Sequence, residues 1–122
     1  MAYDVRLDDD NRIVHIEVIG SIDLESATKY SREAFDLAAD SDYQKIMFDC
    51  TQATIVEFGS GVIQHANELE GLGFKDHFKA ASVHSPDDMD SAKLLEQTAQ
   101  KKGHDLKIFT DHQSAIDWLK KD

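Results

Sequence analysis

The sequence is short of cysteine, of basic residues and of long apolar runs. Its single cysteine, Cys50, excludes an intramolecular disulfide, so we expect a protein of the reducing cytoplasm. No apolar run approaches the roughly 18 residues that a membrane-spanning helix needs. Residues 1–10 also lack the basic and apolar segments of a signal peptide, which agrees with a cytoplasmic location.

The shortage of basic residues bears on the partners that the protein can have. Lys and Arg number 13 against 24 Asp and Glu, which gives a formal net charge of −11. A charge of this sign repels phosphate backbones and anionic lipid headgroups, so we expect no nucleic acid partner. With 122 residues, 41% of them hydrophobic, the chain has enough material for one domain with a core of its own, but not for two.

What the sequence does contain is a succession of strand and helix patterns. Two alternating runs, Y-D-V-R-L-D and R-I-V-H-I-E-V-I-G, are joined by D-D-D-N and predict a hairpin. Helical spacing of apolar residues then begins at Asp23, which can cap that helix. After the helix, K-I-M-F-D-C predicts a strand that is buried on both faces. A helix ended by G-L-G and the strand F-K-A-A-S-V-H follow.

The last third of the chain repeats this alternation of strands and helices. S-P-D-D predicts a helix start with Ser85 as the N-cap, and D-L-K-I-F predicts the fifth strand. T-D-H-Q predicts a capping box from Thr110 to Gln113 on the final helix. The fold class is therefore α/β: a mixed sheet of about five strands and four helices, in the order β-β-α-β-α-β-α-β-α.

Three segments of the chain resemble a known family. They are I-E-V-I-G-S-I-D at the end of the hairpin, K-I-M-F-D-C-T-Q-A at the central strand, and L-K-I-F-T-D-H-Q-S-A-I-D-W-L at the end. Together they resemble the STAS domain, and more closely its SpoIIAA-like branch. The resemblance covers nearly the whole chain and implies one SpoIIAA-like domain over residues 1–122. Its motifs are structural, so it supports the fold more strongly than the function.

The resemblance also implies a place for a regulatory site. In the anti-sigma factor antagonists of this group, the loop after the central strand carries a serine or threonine that a kinase phosphorylates. Matching the glycines of E-F-G-S-G-V-I to that loop places Phe58 at the acceptor position and Ser60 where the family has an apolar residue. We therefore predict that the switch is absent, with Ser60, Thr54 and Thr51, in that order, as the remaining hydroxyl candidates.

Ser60 itself allows three interpretations. A nucleophile is disfavoured, because G-S-G is not the G-x-S-x-G elbow and His65 would lie about 140° around the helix. A phosphate cradle is disfavoured by the missing lysine and by Glu57. The favoured interpretation is a bend in which Gly59 and Gly61 permit positive φ and close approach, while Ser60 caps the helix.

Other residues that could carry chemistry have simpler explanations. Asp87, Asp88 and Asp90 near His84 could bind a hard cation, but two of these carboxylates are explained by the helix start. The acidic run at residues 8–10 predicts a solvated turn, and the six histidines show no H-x-x-x-H pair. We therefore expect no metal and no cofactor. Cys50 and Trp118 are expected in the core.

The predicted function is a non-enzymatic cytoplasmic binding or signalling domain. Its expected surface comprises Thr51, Thr54, Ile55, Val56, Glu57, Phe58, Gly59, Ser60 and Gly61, with Ile55, Val56 and Phe58 exposed to meet an unknown protein partner. One alternative, implied by the resemblance, is a carrier of a small apolar or lipid-like ligand, and a second is a phospho-regulated anti-sigma factor antagonist. An enzyme is the least favoured class. The strand Ala2–Asp8 could also pair two copies into a homodimer.

Overall fold

The computed structural model describes residues 2–57 and 59–121, and within them it contains five strands and four helices. The elements are β1 Ala2–Asp8, β2 Ile13–Ile22, α1 Leu24–Ser41, β3 Lys45–Ile55, α2 Gly59–Glu68, β4 Lys79–His84, α3 Met89–Lys101, β5 Asp105–Phe109 and α4 His112–Lys120. A 3-10 turn, Pro86–Asp88, precedes α3. The predicted fold class and element order are confirmed. Among the described residues, no helix is both long and apolar enough to cross a bilayer.

The strands lie in the sheet in their order along the chain, β1-β2-β3-β4-β5. β1 pairs antiparallel with β2, and the three following pairings are parallel. Because parallel crossovers are right-handed, successive connections in one direction put α1, α2 and α3 on the same face of the sheet. α4 follows the last strand and lies on the opposite face, against β3, β4 and β5. The predicted edge strand, β1, is indeed at the edge.

The larger core lies between the sheet and the three crossover helices. Phe35 of α1 is at its centre, 1% exposed, with its ring centroid 5.2 Å from that of Phe74 and 6.1 Å from that of Phe48. On β2, the predicted inward face of Val14, Ile16 and Val18 belongs to this core. These side chains are among the most deeply buried of the described residues because α1 covers their strand.

The smaller core lies between the sheet and α4, through Ala115 and Leu119. Met47 of β3 contributes to it while Ile46 faces the larger core, so β3 is buried on both faces as predicted. Trp118, in contrast, is only partly buried: its ring lies 5.7 Å from that of Phe109, with Lys79 Nζ 4.4 Å above it. The indole therefore covers one end of this small core rather than filling it.

The helix starts follow local hydrogen bonding, with two corrections. Asp23 caps α1 as predicted, accepting from the Ser26 amide at 2.8 Å. α4 is capped by Asp111 and not by Thr110, since the carboxylate accepts from the Ser114 amide at 2.8 Å and sets the helix frame one residue later. Ser85 and Pro86 occupy the predicted N-cap and first positions, but they begin the 3-10 turn rather than α3, and the Ser85 side chain makes no capping bond.

Candidate functional site

The candidate surface at residues 51–61 includes the end of β3, which is at Ile55, and the start of α2, which is at Gly59. β3 continues to Ile55, where Thr54 and Ile55 pair with the end of β2 and the Val56 amide donates to the Ile22 carbonyl at 2.9 Å. The strand predicted over K-I-M-F-D-C therefore continues five residues further and includes Thr51, Thr54 and Ile55. The ten-residue β2 supplies partners for these backbone groups, which lengthens β3.

The side chains of this segment point in different directions because β3 contains a bulge. Two steps along β2, from Glu17 to Ile19, face three steps along β3, from Asp49 to Gln52. The extra residue reverses the alternation of side chains beyond it. As a result Ile55 turns toward the larger core, partly buried, and the prediction that it is exposed was wrong.

Each remaining residue of the predicted surface has its own environment. Thr51 is partly buried, and its hydroxyl donates to Asp49 at 2.7 Å, whereas Thr54 is exposed. Val56 is 43% exposed, as predicted. Phe58 lies outside the described residues. We use "the bend" below for Val56, Glu57, Gly59, Ser60 and Gly61.

Glu57 ties the bend to the first turn of α1. Its Oε1 accepts from the Leu24 amide at 2.7 Å, and a Cβ on Gly61 would lie 2.2 Å from its Oε2. Gly61 therefore leaves room for the Glu57 carboxylate in its present position, whereas Gly59 has a positive φ of 22°. Because α2 begins at Gly59, Ser60 is its second residue and is exposed, so the prediction that Ser60 is the N-cap was wrong.

The variant Gly61→Ala tests this tether. The new Cβ should displace the Glu57 carboxylate and release the Leu24 amide, at a cost of about 1 kcal/mol. Alanine has a higher helix propensity than glycine, which stabilises the helix by a similar free energy. We therefore expect the free energy of unfolding to change by less than about 1 kcal/mol. Amide hydrogen exchange at Leu24 should nevertheless become at least about ten-fold faster. Ser60→Ala is the control and should leave Leu24 protected; unchanged exchange in Gly61→Ala would contradict the tether.

A cavity of about 60 Å³ lies behind the bend, between the sheet and the three crossover helices. The lining residues that are partly exposed mark its mouth, and they are Leu24, Ile55, Glu57, Gly61, Ser91 and Leu95. The interior is bounded by buried side chains that include Phe35 of α1 and Val62 of α2. The bend thus forms one side of the mouth of an internal, mainly apolar cavity.

A string of buried polar groups reaches this cavity from the sheet. His84 Nε2 lies 2.7 Å from Ser82 Oγ, and both side chains line the cavity. Ser82 and Tyr30 also influence the pKa of the Cys50 thiol, and both act to lower it. Burial raises the pKa of Cys50 to about 12, and burial together with Cys50 raises the pKa of Tyr30 well above its usual value. Cys50 is therefore a buried neutral thiol, as predicted.

Two histidines that line the cavity each have a ring nitrogen that no described residue hydrogen-bonds. His84 is 3% exposed and His65 is 9% exposed, and this nitrogen is Nδ1 in both rings. Burial lowers the pKa of His84 to about 4 and also lowers the pKa of His65. Both rings are therefore neutral at pH 7, and the Nδ1 atom of each is a buried polar atom that no described residue hydrogen-bonds.

The other arrangements considered from the sequence do not assemble. Asp88 accepts from the Ile55 amide at 3.3 Å, while His84 faces the cavity, so the acidic helix start and His84 do not share a site. Among residues 2–57 and 59–121, no group of three or more His, Cys, Asp or Glu side chains could hold a metal ion. Ser60 is exposed while His65 is buried, which separates the serine from its only nearby base.

The opposite face of the sheet carries a second concave region, of about 440 Å³, because α4 leaves β1 and β2 uncovered. There His112 Nε2 lies 2.7 Å from Asp49 Oδ2. Burial of Asp49 raises its pKa, but the hydrogen bonds from His112 and Thr51 outweigh that effect and lower it. This pair connects the first turn of α4 to β3.

Sequence reasoning missed the cavity and its histidines. It treated His84 as a metal-ligand candidate, although the alternation in F-K-A-A-S-V-H already put Ser82 and His84 on one face of the strand. That periodicity was the available signal. No local signal connects His65 to the same cavity, since it lies on α2 and only the tertiary fold brings it to the cavity that His84 lines.

Comparisons with known proteins agree with this architecture. No protein-family model matches the sequence, and no curated protein matches it significantly. Among solved structures, the chain is similar to an uncharacterized protein of the DUF3478 family with a SpoIIAA-like fold from Shewanella loihica. The TM-score is 0.59 at 18% identity, over 97% of this chain and 92% of the other.

Two further structures are anti-sigma factor antagonists. One is from Mycobacterium paratuberculosis, with a TM-score of 0.61 at 12% identity over 98% of this chain and 96% of that one. The other is SpoIIAA in its unphosphorylated form, with a TM-score of 0.56 at 13% identity over 99% of this chain and 100% of that one. The chain therefore has the SpoIIAA-like fold that the sequence predicted.

Proposed function

We propose that this chain is a non-enzymatic, cytoplasmic binding domain of the signalling type, and that the bend is its binding centre. The observation that carries the proposal is that Glu57 and Gly61 belong both to the surface at the bend and to the wall of the cavity behind it. Contact at the bend and occupancy of the cavity can therefore influence each other. A fold alone does not specify a function, whereas the residues of this site can.

The first candidate ligand is a protein that docks on the bend. Val56 is exposed although it is a large apolar side chain, and it lies directly beside the mouth of the cavity. The anti-sigma factor antagonists among the similar structures make signalling a reasonable class, although at 12–13% identity they support the fold alone. We propose an unregulated surface, since Glu57 lies three residues before the exposed Ser60 and its charge opposes a phosphate in the same bend.

The variant Val56→Asp tests protein docking. Adding a charge to an exposed position should change the free energy of unfolding by less than about 1 kcal/mol, while partner capture falls at least about ten-fold. The measurement is quantitative mass spectrometry of proteins retained from a lysate of the native cells. Leu7→Asp is the matched control, because Leu7 is also exposed and apolar but lies on the edge strand. A set of retained proteins that is the same for all three forms would contradict docking at the bend.

The second candidate function is the capture of a small, mainly apolar ligand, and the cavity is the observation that favours it. Its volume of about 60 Å³ is below the roughly 150 Å³ of an engineered cavity that holds benzene. A compact ligand that extends into the mouth therefore suits it better than a long acyl chain. Native mass spectrometry of the protein purified from its own cells should show an added mass that denaturation removes.

A further inference from the structure

The two edges of the sheet differ in how their outer backbone groups are satisfied. At β5, Gln100 of α3 donates to the Leu106 carbonyl at 3.0 Å. Glu96, also of α3, accepts from the Ile108 amide at 2.7 Å. At β1, no side chain among the described residues hydrogen-bonds the backbone of residues 2–8. Because β1 pairs with β2 alone, every second residue of β1 turns its amide and carbonyl away from the sheet, and this edge is open.

β1 also lacks most of the features that protect an exposed edge from pairing with another chain. Natural proteins protect such edges with short strands, bulges, proline or lysine. β1 has seven residues, without proline or lysine, and its register with β2 is regular over the whole strand. Leu7 of β1 is also 39% exposed. β5, in contrast, has five residues with Lys107 at its centre. Strand addition is therefore favoured at β1 and disfavoured at β5.

The sequence of β1 is complementary to itself when two copies run antiparallel with Val5 of one opposite Val5 of the other. Asp4 of each chain then faces Arg6 of the other on one side of the sheet, which makes two pairs of opposite charge. On the other side, Tyr3 of each chain faces Leu7 of the other, beside the central pair of valines. Shifting the register by two residues would put the two Asp4 or the two Arg6 side chains opposite each other. The charges therefore favour this register over its neighbours.

Asp4 and Arg6 have no partner of opposite charge within one copy. Both side chains are exposed, and neither hydrogen-bonds nor forms an ion pair with a described residue. On β2, Asp4 lies opposite Glu17, which repels it, and Arg6 lies opposite His15. Burial and the charge of Arg6 lower the pKa of His15, so the ring is neutral at pH 7. A second copy would give each of these two charges a favourable partner.

The helices leave room for a second copy beside β1. α1 lies mainly on β2 and β3, and α4 lies against β3, β4 and β5. In a sheet continuous through two copies, three strand spacings of about 4.8 Å would separate the two β2 strands by about 14 Å. Packed helices need only about 8–10 Å between their axes, so the two copies of α1 would not overlap.

We propose that two copies of this chain pair antiparallel through β1, with Val5 at the two-fold axis, and join their five-stranded sheets into one. The same strand is used by both copies, so the assembly closes at two, with β5 at both of its ends. The contact is distinct from the proposed binding centre, because no residue of β1 belongs to the bend or lines the cavity. The net charge of −11 on each copy opposes the pairing at long range, and salt screens that repulsion.

Sedimentation velocity of the full chain in about 0.15 M salt tests the pairing, and we expect dimer to replace monomer as the concentration rises. Arg6→Asp puts carboxylates opposite each other at two places and should weaken the dimer at least about ten-fold. Asp4→Arg should do the same with two guanidinium groups. The double variant Asp4→Arg/Arg6→Asp restores the opposite charges and should return the dissociation constant to within about three-fold of the original. Lys75→Asp is the matched control, since it makes the charge change of Arg6→Asp on an exposed loop before β4 and should have little effect.

Amide hydrogen exchange locates the contact. Every second amide of β1 should exchange more slowly as the protein concentration rises, and this readout decides the matter should a variant fail to fold. Val56→Asp should leave the dimer unchanged and Leu7→Asp should weaken it, so pairing and docking at the bend are judged separately. Monomer at every concentration would overturn the proposal. So would a dimer that Arg6→Asp leaves intact or that the double variant does not restore.

Discussion

Lowering the pH from 7 to 4 will reduce the free energy of unfolding by about 3 kcal/mol through His84 alone. The ring is 3% exposed, and burial lowers its pKa from 6.5 to about 4. Below pH 6.5 the unfolded chain binds a proton at this histidine that the folded protein does not bind. The contribution is therefore fully present above pH 6.5 and is lost as the pH falls toward 4, at about 1.4 kcal/mol per unit of pKa difference.

The measurement is urea unfolding of the protein and of His84→Leu at pH 7 and pH 4. Other groups titrate in the same window: burial lowers the pKa of His65, whereas it raises the pKa of Asp88, which acts in the opposite direction. The decrease in the free energy of unfolding between pH 7 and pH 4 must therefore be compared between the two proteins. We expect this decrease to be smaller by about 3 kcal/mol in His84→Leu than in the unaltered protein. His77→Leu is the control and should lose as much as the unaltered protein. Equal losses in His84→Leu would show that this ring is not held neutral.

Phe35→Ala will reduce the free energy of unfolding by about 3–5 kcal/mol, the range for removing a buried aromatic ring. Phe35 is 1% exposed, and its ring contacts those of Phe74 and Phe48 in the larger core. Domains of this size are stable by about 5–15 kcal/mol, so the variant should remain folded with a small margin. Urea unfolding followed by circular dichroism measures the loss.

Phe35 also lines the cavity, which gives this variant a second readout. Removing the ring should enlarge the cavity toward the size that accepts benzene, so toluene should raise the thermal midpoint of Phe35→Ala more than that of the unaltered protein. Phe35→Leu is the matched control, since it keeps most of the apolar volume and should lose less stability. A loss below about 1 kcal/mol in Phe35→Ala would mean that neighbouring side chains collapse into the space.

The elements that were predicted correctly are those whose signals lie within a few residues of one another. The alternation of Val14, Ile16 and Val18 identified the inward face of β2, and Asp23 was identified as the cap of α1. The periodicity of apolar residues and the helix caps depend on backbone geometry over one or two turns. The residues that determine them are therefore close together in the sequence. The cap of α4 was placed one residue early because Thr110 and Asp111 are both able to cap, and only the bond to Ser114 distinguishes them.

The sequence by itself determined the α/β class, the order of the elements and a glycine-containing bend where α2 begins, because these follow from local periodicity and turn chemistry. Only the tertiary structure decided which way the side chains around the bend point. The bulge in β3 arises from pairing with β2, and it turns Ile55 into the wall of the cavity. Likewise His65 and His84 share a cavity, and burial holds them neutral, only because the fold brings α2 and β4 to the same cavity. Desolvation is a property of the assembled core, and no stretch of sequence contains it.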